Sequence, residues 1–199
     1  MYREKMSQQN NKRCNGIKSR KHPNDVIYTP KPVALKLIEM CDLKEGDKVL
    51  DPCYGGGVFY ENLPDYVEKD WCEIDKGRDF FDYKEKVDWI IGNPPFSIWK
   101  QWLEHTMTLT DKFAFVIGTM NLSFRRLRML EEKGFFLTKL HLCKVSWWFG
   151  DVFLVIFEKN KPSIISYTPT LIHCDICNKS NCKRGSKGND YNICTNVIN

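Results

Sequence analysis

Apolar and polar positions alternate in blocks along the middle of this 199-residue chain, and the period of each block assigns it to an element. Val33, Ala34, Leu37, Ile38 and Cys41 recur at helical spacing and predict a helix over Lys31–Cys41, with Pro32 accommodated in its first turn. Lys48–Asp51 reads as a short buried strand that runs into a Gly-rich turn and a short helical stretch ending near Pro64. Trp71–Ile74 and Val87–Ile91 read as two more strands. Ser97–Thr110 sets Ile98, Trp99, Trp102, Leu103 and Met107 on one helical face. Phe113–Gly118 is then a strand, Ser123–Lys133 a helix, and Phe135–Cys143 with Val152–Glu158 a closing pair of strands. Strands alternating with helices predict an α/β sheet covered on both faces.

The two ends break this pattern. Residues 1–24 are rich in Lys, Arg, Asn and Gln and predict a flexible basic arm, whereas residues 160–199 are polar, Cys-rich and without an apolar stripe. Residues 25–159 are the expected domain. Charge follows the same division: residues 1–25 carry seven Lys/Arg against two Asp/Glu, residues 160–199 five against two, and the middle is slightly acidic within a net +5. A uniformly basic nucleic-acid coat is excluded, but basic arms on a nearly neutral body are not. No apolar run approaches the roughly 20 residues that cross a bilayer, so no membrane partner is expected. The N-terminus has no apolar core of a secretory signal, which predicts a cytoplasmic or nuclear protein that is not secreted.

Asp51-Pro-Cys-Tyr-Gly-Gly-Gly-Val-Phe59 is the first candidate for chemistry. Glycines let a backbone approach a ligand closely, and a carboxylate at a strand end can accept hydrogen bonds from its amino or hydroxyl groups. Glu73 and Asp75 follow about twenty residues on, where doubly wound nucleotide sites keep a ribose-binding carboxylate. Cys53 follows a proline, as does the nucleophile of cytosine C5 enzymes, but its place inside the Gly-rich turn makes it a small pocket-lining residue.

Val87-Asp-Trp-Ile-Ile-Gly-Asn-Pro-Pro-Phe96 is more informative. An apolar strand stops at Asn93, and two prolines forbid both a ladder hydrogen bond and a simple helix start. Such a corner fixes the Asn93 amide and the Pro94 carbonyl as two acceptors facing one way, followed by an aromatic placed to stack on a flat ring. A planar exocyclic amine needs that arrangement before it attacks an electrophile: accepting its N–H bonds disfavours delocalisation into the ring and stabilises positive charge developing on nitrogen.

Asp51-Pro-x-x-Gly-x-Gly, Glu73, Arg78-Asp79-Phe80-Phe81 and Asn93-Pro94-Pro95-Phe96, in that order, resemble the motifs of S-adenosylmethionine-dependent amino-methyltransferases, and among these most the N6-adenine enzymes. Tyr28-Thr29-Pro30 resembles an extra motif that many DNA adenine enzymes carry ahead of the cofactor loop. The resemblance covers about Val26–Lys159 and implies a Rossmann-like seven-stranded sheet whose last strands form an antiparallel pair. It also implies that Asp51, Pro52, Gly55 and Gly57 line the methionine end of the cofactor. Glu73 would bind the ribose, Asp79 and Phe80 the adenine, and Tyr28 and Thr29 would join that site. Asn93 and Pro94 would hold the target amine, Pro95 would complete the catalytic loop, and Phe96 would stack on an extruded base. Only fourteen residues separate Glu73 from Asp88, so the helix and strand usual between them must be abridged. There is no long insertion for target recognition, which leaves recognition to loops, the basic ends or a protein partner.

The function implied is methyl transfer to adenine N6 in nucleic acid, with DNA ahead of RNA on the strength of Tyr28-Thr29-Pro30. Protein glutamine methylation and an inactive binding subunit are the alternatives. Three further readings stand beside this one. Arg125, Arg126 and Arg128 open a helix and could grip phosphates or form a solvated face. Trp147-Trp148-Phe149, between the closing strands, reads as core ahead of the alternative that it faces the base pocket. Cys174, Cys177, Cys182 and Cys194 can supply a tetrahedral structural zinc site in the tail, while the other five cysteines are scattered singly.

Overall fold

The computed structural model describes residues 27–145 and 151–166. Its elements run α1 (Lys31–Met40), β1 (Lys48–Asp51), β2 (Glu68–Trp71), β3 (Trp89–Gly92), α2 (Trp99–Leu109), β4 (Lys112–Gly118), α3 (Phe124–Glu131), β5 (Phe135–Lys144) and β6 (Asp151–Lys159). The sheet has the order β2-β1-β3-β4-β6-β5. Strands β1 to β4 are parallel, and β6 inserts antiparallel between β4 and β5. The antiparallel closing pair agrees with the expectation from sequence.

Period-two alternation divides the core. Val49, Trp89, Ile91, Ala114, Val116 and Ile156 face α1, which contributes Ala34, Leu37 and Ile38. The intervening Phe113 and Phe115 belong to the opposite layer, where Trp99 of α2 meets Phe115 edge-on and Phe135 meets Phe113. All four residues of β3 are buried, as expected of a central parallel strand covered on both faces. Among the described residues no helix is long and apolar enough to cross a membrane.

Among the described residues the sheet has six strands against the seven expected. The segment after Trp71 forms only the tight turns Ile74–Lys76 and Phe80–Asp82 before β3 begins. Two crossovers and a strand do not fit in so short a stretch, since a single crossover takes at least ten to twelve residues. The second strand is also displaced, to Glu68–Trp71 rather than Trp71–Ile74. It lies at the sheet edge with no fully buried residue, so its sequence Glu-Lys-Asp-Trp carries no apolar signal. Pairing with β1 at Lys48↔Glu68 and Asp51↔Trp71 decides its position instead.

Parallel pairing aligns the carboxyl ends of β1, β3 and β4 on one edge of the sheet. The Gly-rich turn, the Asn-Pro-Pro-Phe corner and the loop that leads into α3 therefore lie side by side, where open α/β sheets bind ligands. The basic arm, Trp147-Trp148-Phe149 and the four tail cysteines lie outside the described residues.

Candidate active site

Asp51 ends β1 and is fully buried. Its carboxylate accepts the N–H of Cys53 at 3.2 Å and that of Tyr60 at 3.4 Å. Burial pushes this carboxyl up to about 7, against the two backbone donors, and the nearby Glu73 adds to the rise. Such a group has its charge poised near neutrality and open to ligand control. Glu73 is tied into the same loop by accepting the Gly55 N–H at 2.8 Å and the Asp75 N–H at 3.3 Å. Gly55 and Gly57 both have positive φ, and a side chain on Gly57 would meet the Tyr54 ring, so the turn has this shape only with glycine there.

The second loop abuts the first. A Cβ on Gly92 would lie 2.9 Å from the Pro52 ring and 3.4 Å from the Asp51 carboxylate, so the end of β3 passes directly over the end of β1. One residue on, the Cys53 thiol donates to the Asn93 carbonyl at 3.1 Å. Burial raises the Cys53 thiol well above its ordinary value, which keeps the proton that this hydrogen bond needs. Pro94 is buried, and Pro95 leads into the short turn Phe96–Ile98 that carries the half-buried Phe96.

The Asn93 side chain is held from a third direction. Its Nδ2 donates to the Ile27 carbonyl at 3.2 Å. A carbonyl only accepts, so this contact fixes which end of the amide is which. The other end, Oδ1, is buried and has no hydrogen-bond partner. A buried acceptor without a partner costs about 1–3 kcal/mol, so it marks a place where a donor is missing. The neighbouring Tyr28 lays its ring edge 3.2 Å from where a Cβ of Gly56 would be. Residues 27–30 thus strap both loops together before Pro30 caps α1.

The residues named from sequence do not all reach this place in the same way. Asp51, Pro52, Gly55, Glu73 and Asn93 are brought together by the contacts above; Gly57 belongs to the same turn, Tyr28 lies against its neighbour Gly56, Thr29 follows in the strap, and Pro94 is buried directly after Asn93. Asp79 caps the turn Phe80–Asp82 by accepting the Phe81 N–H at 2.9 Å. Phe80 is only 2% exposed and packs on Trp102 and His105, so its ring closes the core and offers a ligand no open face. Sequence reading missed Gly92 and the Ile27 carbonyl and took Cys53 for a passive lining. Gly92, immediately before Asn93, was the one visible signal; the other two contacts join positions far apart in sequence. Among the described residues no group of three His, Cys, Asp or Glu could hold a metal.

No protein-family model and no curated protein sequence matches the chain. Solved structures do. A suspected RNA methyltransferase from Pyrococcus horikoshii is 19% identical with TM-score 0.54, covering 66% of this chain and 85% of its own. The Mtq2–Trm112 complex of E. cuniculi, responsible for methylating the eRF1 translation termination factor, matches at 17% and 0.54, covering 68% and 99%. The chain has the methyltransferase fold. The 23S rRNA methyltransferase ErmE matches it too, at 13% identity and TM-score 0.53 over 70% of this chain and 72% of that one. One fold thus serves an RNA and a protein substrate among these neighbours, so substrate must be argued from the site rather than the architecture.

Proposed function

We propose that this chain is an S-adenosylmethionine-dependent methyltransferase acting on the N6 amine of adenine in nucleic acid, with RNA the favoured strand. The observation that carries the reading is the buried, unpartnered Oδ1 of Asn93. With Nδ2 held by Ile27 and the backbone carbonyl held by Cys53, that oxygen is a preset acceptor for one N–H of an entering amine. Pro94 contributes a second carbonyl without a competing N–H. Two acceptors draw the amine hydrogens out of conjugation with the ring and stabilise the positive charge that nitrogen acquires as it attacks. Phe96 then stacks on the flat ring, which partly offsets the few kcal/mol of extrusion.

The cofactor supplies a methyl group on a cationic sulfur. The residues present fit such a group: Asp51 and Glu73 put two carboxylates at the Gly-rich turn, and burial leaves Asp51 in need of a positive partner. Asp51, Gly55 and Gly57 would hold its amino-acid end and Glu73 its ribose, with Asp79 beyond. Transfer is a direct displacement with no covalent enzyme intermediate, so the protein acts by positioning and electrostatics.

Preference for RNA over DNA rests on two points. In the Tyr28-Thr29-Pro30 segment, which suggested DNA, the Tyr28 ring lies against Gly56 of the cofactor turn while the adjacent Ile27 carbonyl holds Asn93, so the segment serves the two loops for either kind of strand. Two of the three neighbours named above are called RNA methyltransferases. Incubation with labelled methyl donor and separate RNA, DNA and release-factor substrates tests the reading. Label is expected on adenine N6 in RNA; label confined to the protein factor would overturn the nucleic-acid assignment.

For the termini, residues 1–24 are proposed as a basic arm that attracts phosphates, with residues 25–159 as the catalytic domain. Cys174, Cys177, Cys182 and Cys194 are proposed as ligands of one structural zinc in residues 160–199. Metal analysis of the purified chain is expected to give about one zinc per molecule, and a metal-free protein would remove that assignment.

A further inference from the structure

Next to the Asn-Pro-Pro-Phe corner lies an open groove of about 760 Å³ between the start of α2 and the whole of α3. Its lining includes Trp99, Lys100, Met120, Phe124, Arg125 and Arg128. Trp99 directly follows the turn that carries Phe96, and Met120 belongs to the loop after β4, so the groove continues the same sheet edge as Asn93. Its chemistry is mixed. Arg125 makes no ion pair among the described residues, and Lys100 and Arg128 are held only by exposed partners one helical turn away, Glu104 at 3.7 Å and Glu132 at 2.9 Å. Arg126 acts differently, donating to the Met120 carbonyl at 3.1 Å and to the Asn121 side chain, and so fixes the loop that presents Met120. That methionine is 87% exposed, and Phe124, one helical turn before Arg128, is 41% exposed.

We propose that this groove binds a single-stranded polynucleotide beside the target base, with Lys100, Arg125 and Arg128 on successive phosphates and Met120 and Phe124 under a flanking base. Cations without strong partners and exposed apolar side chains between them are the pairing that single strands require, phosphate contact plus a stacking surface. A duplex would not reach Met120 with an unstacked base, and an acidic peptide would make no use of a stacking platform. The proposal rests on the methyl-transfer reading above, and it places on the folded domain part of the phosphate attraction that charge counting assigns to the two ends.

The test is equilibrium binding of fluorescent single-stranded RNA and DNA oligonucleotides to the full chain across a salt series. Arg125→Ala, Arg125→Ala with Arg128→Ala, and Lys44→Ala are compared with wild type. Arg125 and Arg128 are exposed, so unfolding midpoints should not move, and Arg126 is left in place because it holds the Met120 loop. Lys44 precedes β1 on the opposite sheet edge and removes the same charge elsewhere. Each groove arginine lost should lower the salt slope by about 0.7 and weaken binding about fivefold at moderate salt, whereas Lys44→Ala should change neither. The RNA and DNA arms report which strand is preferred. Equal slopes in wild type and the double variant would overturn the groove, and so would an equal loss in Lys44→Ala, tighter binding of an acidic peptide, or no binding by wild type. Methyl transfer is read separately. Arginine-dependent binding without transfer keeps the groove and sinks the enzymatic reading, while transfer indifferent to both arginines does the reverse.

Discussion

Replacing Asp51 by Asn should make the protein more stable above neutrality and less stable in acid, while abolishing cofactor binding. The carboxyl is fully buried, and burial raises it from 3.8 to about 7. An acid raised in the folded state binds its proton there while the unfolded chain has already lost it, so folding stability falls as pH rises between those values. The slope is about 1.4 kcal/mol per pH unit, which accumulates to about 4 kcal/mol by pH 7 and then stays level. Asn cannot ionise and removes that penalty. It keeps one acceptor for the Cys53 or Tyr60 N–H and turns an amino group toward the other, a loss of about 1–3 kcal/mol. The balance leaves Asp51→Asn more stable by roughly 1–3 kcal/mol at pH 8 and less stable by a similar amount near pH 4. Urea unfolding of both proteins at several pH values measures this, provided the m-values agree. Other groups titrate identically in the two proteins, so the difference isolates Asp51. A difference that stays constant from about pH 4 to about pH 8 would show that the folded carboxyl is not raised. Calorimetric titration with the methyl donor completes the test. A donor that needs ionised Asp51 should bind about tenfold more tightly per pH unit up to about pH 7 and no better beyond it.

Four other outcomes follow from the same contacts. Asn93→Ala should cut methyl transfer by at least about 100-fold with cofactor affinity nearly unchanged; loss of both in calorimetry would mean that the loop is structural. Cys53→Ala should slow transfer without moving cofactor affinity, and Cys53→Ser, which keeps a donor for the Asn93 carbonyl at the same place, should restore most of the rate. Gly92→Ala drives a Cβ to 2.9 Å from the rigid Pro52 ring, so thermal or urea unfolding should report about 1–3 kcal/mol of destabilisation. Phe80→Ala should cost about 3–5 kcal/mol as a core deletion, with cofactor affinity in the surviving folded fraction unaltered.

The order of elements was legible because buried strands and helix faces carry apolar residues at their own periods. Wherever an element was buried on both faces, as in Trp89–Gly92 or Lys112–Gly118, sequence placed it within two residues. The Asn-Pro-Pro-Phe corner and the glycine turn were legible for a related reason: proline and glycine restrict the backbone through local sterics that need no knowledge of the fold. Edge strand Glu68–Trp71 was not legible, because its position comes from hydrogen bonds to β1 and not from burial. Phe80 carried a motif position in sequence and a core position in space, since nothing local reveals that Trp102 and His105 close over it.

By itself, then, the sequence determined which side chains stand at the strand ends and what chemistry they can offer. Only the tertiary structure decided how they are held. The Ile27 carbonyl reaches Asn93 across 66 positions of chain and the Cys53 thiol across 40, and these two contacts leave one amide oxygen buried without a partner. Sequence patterns register burial and local backbone sterics. A hydrogen bond between distant residues depends on where the fold brings two segments together, and no period or motif in either segment encodes that meeting.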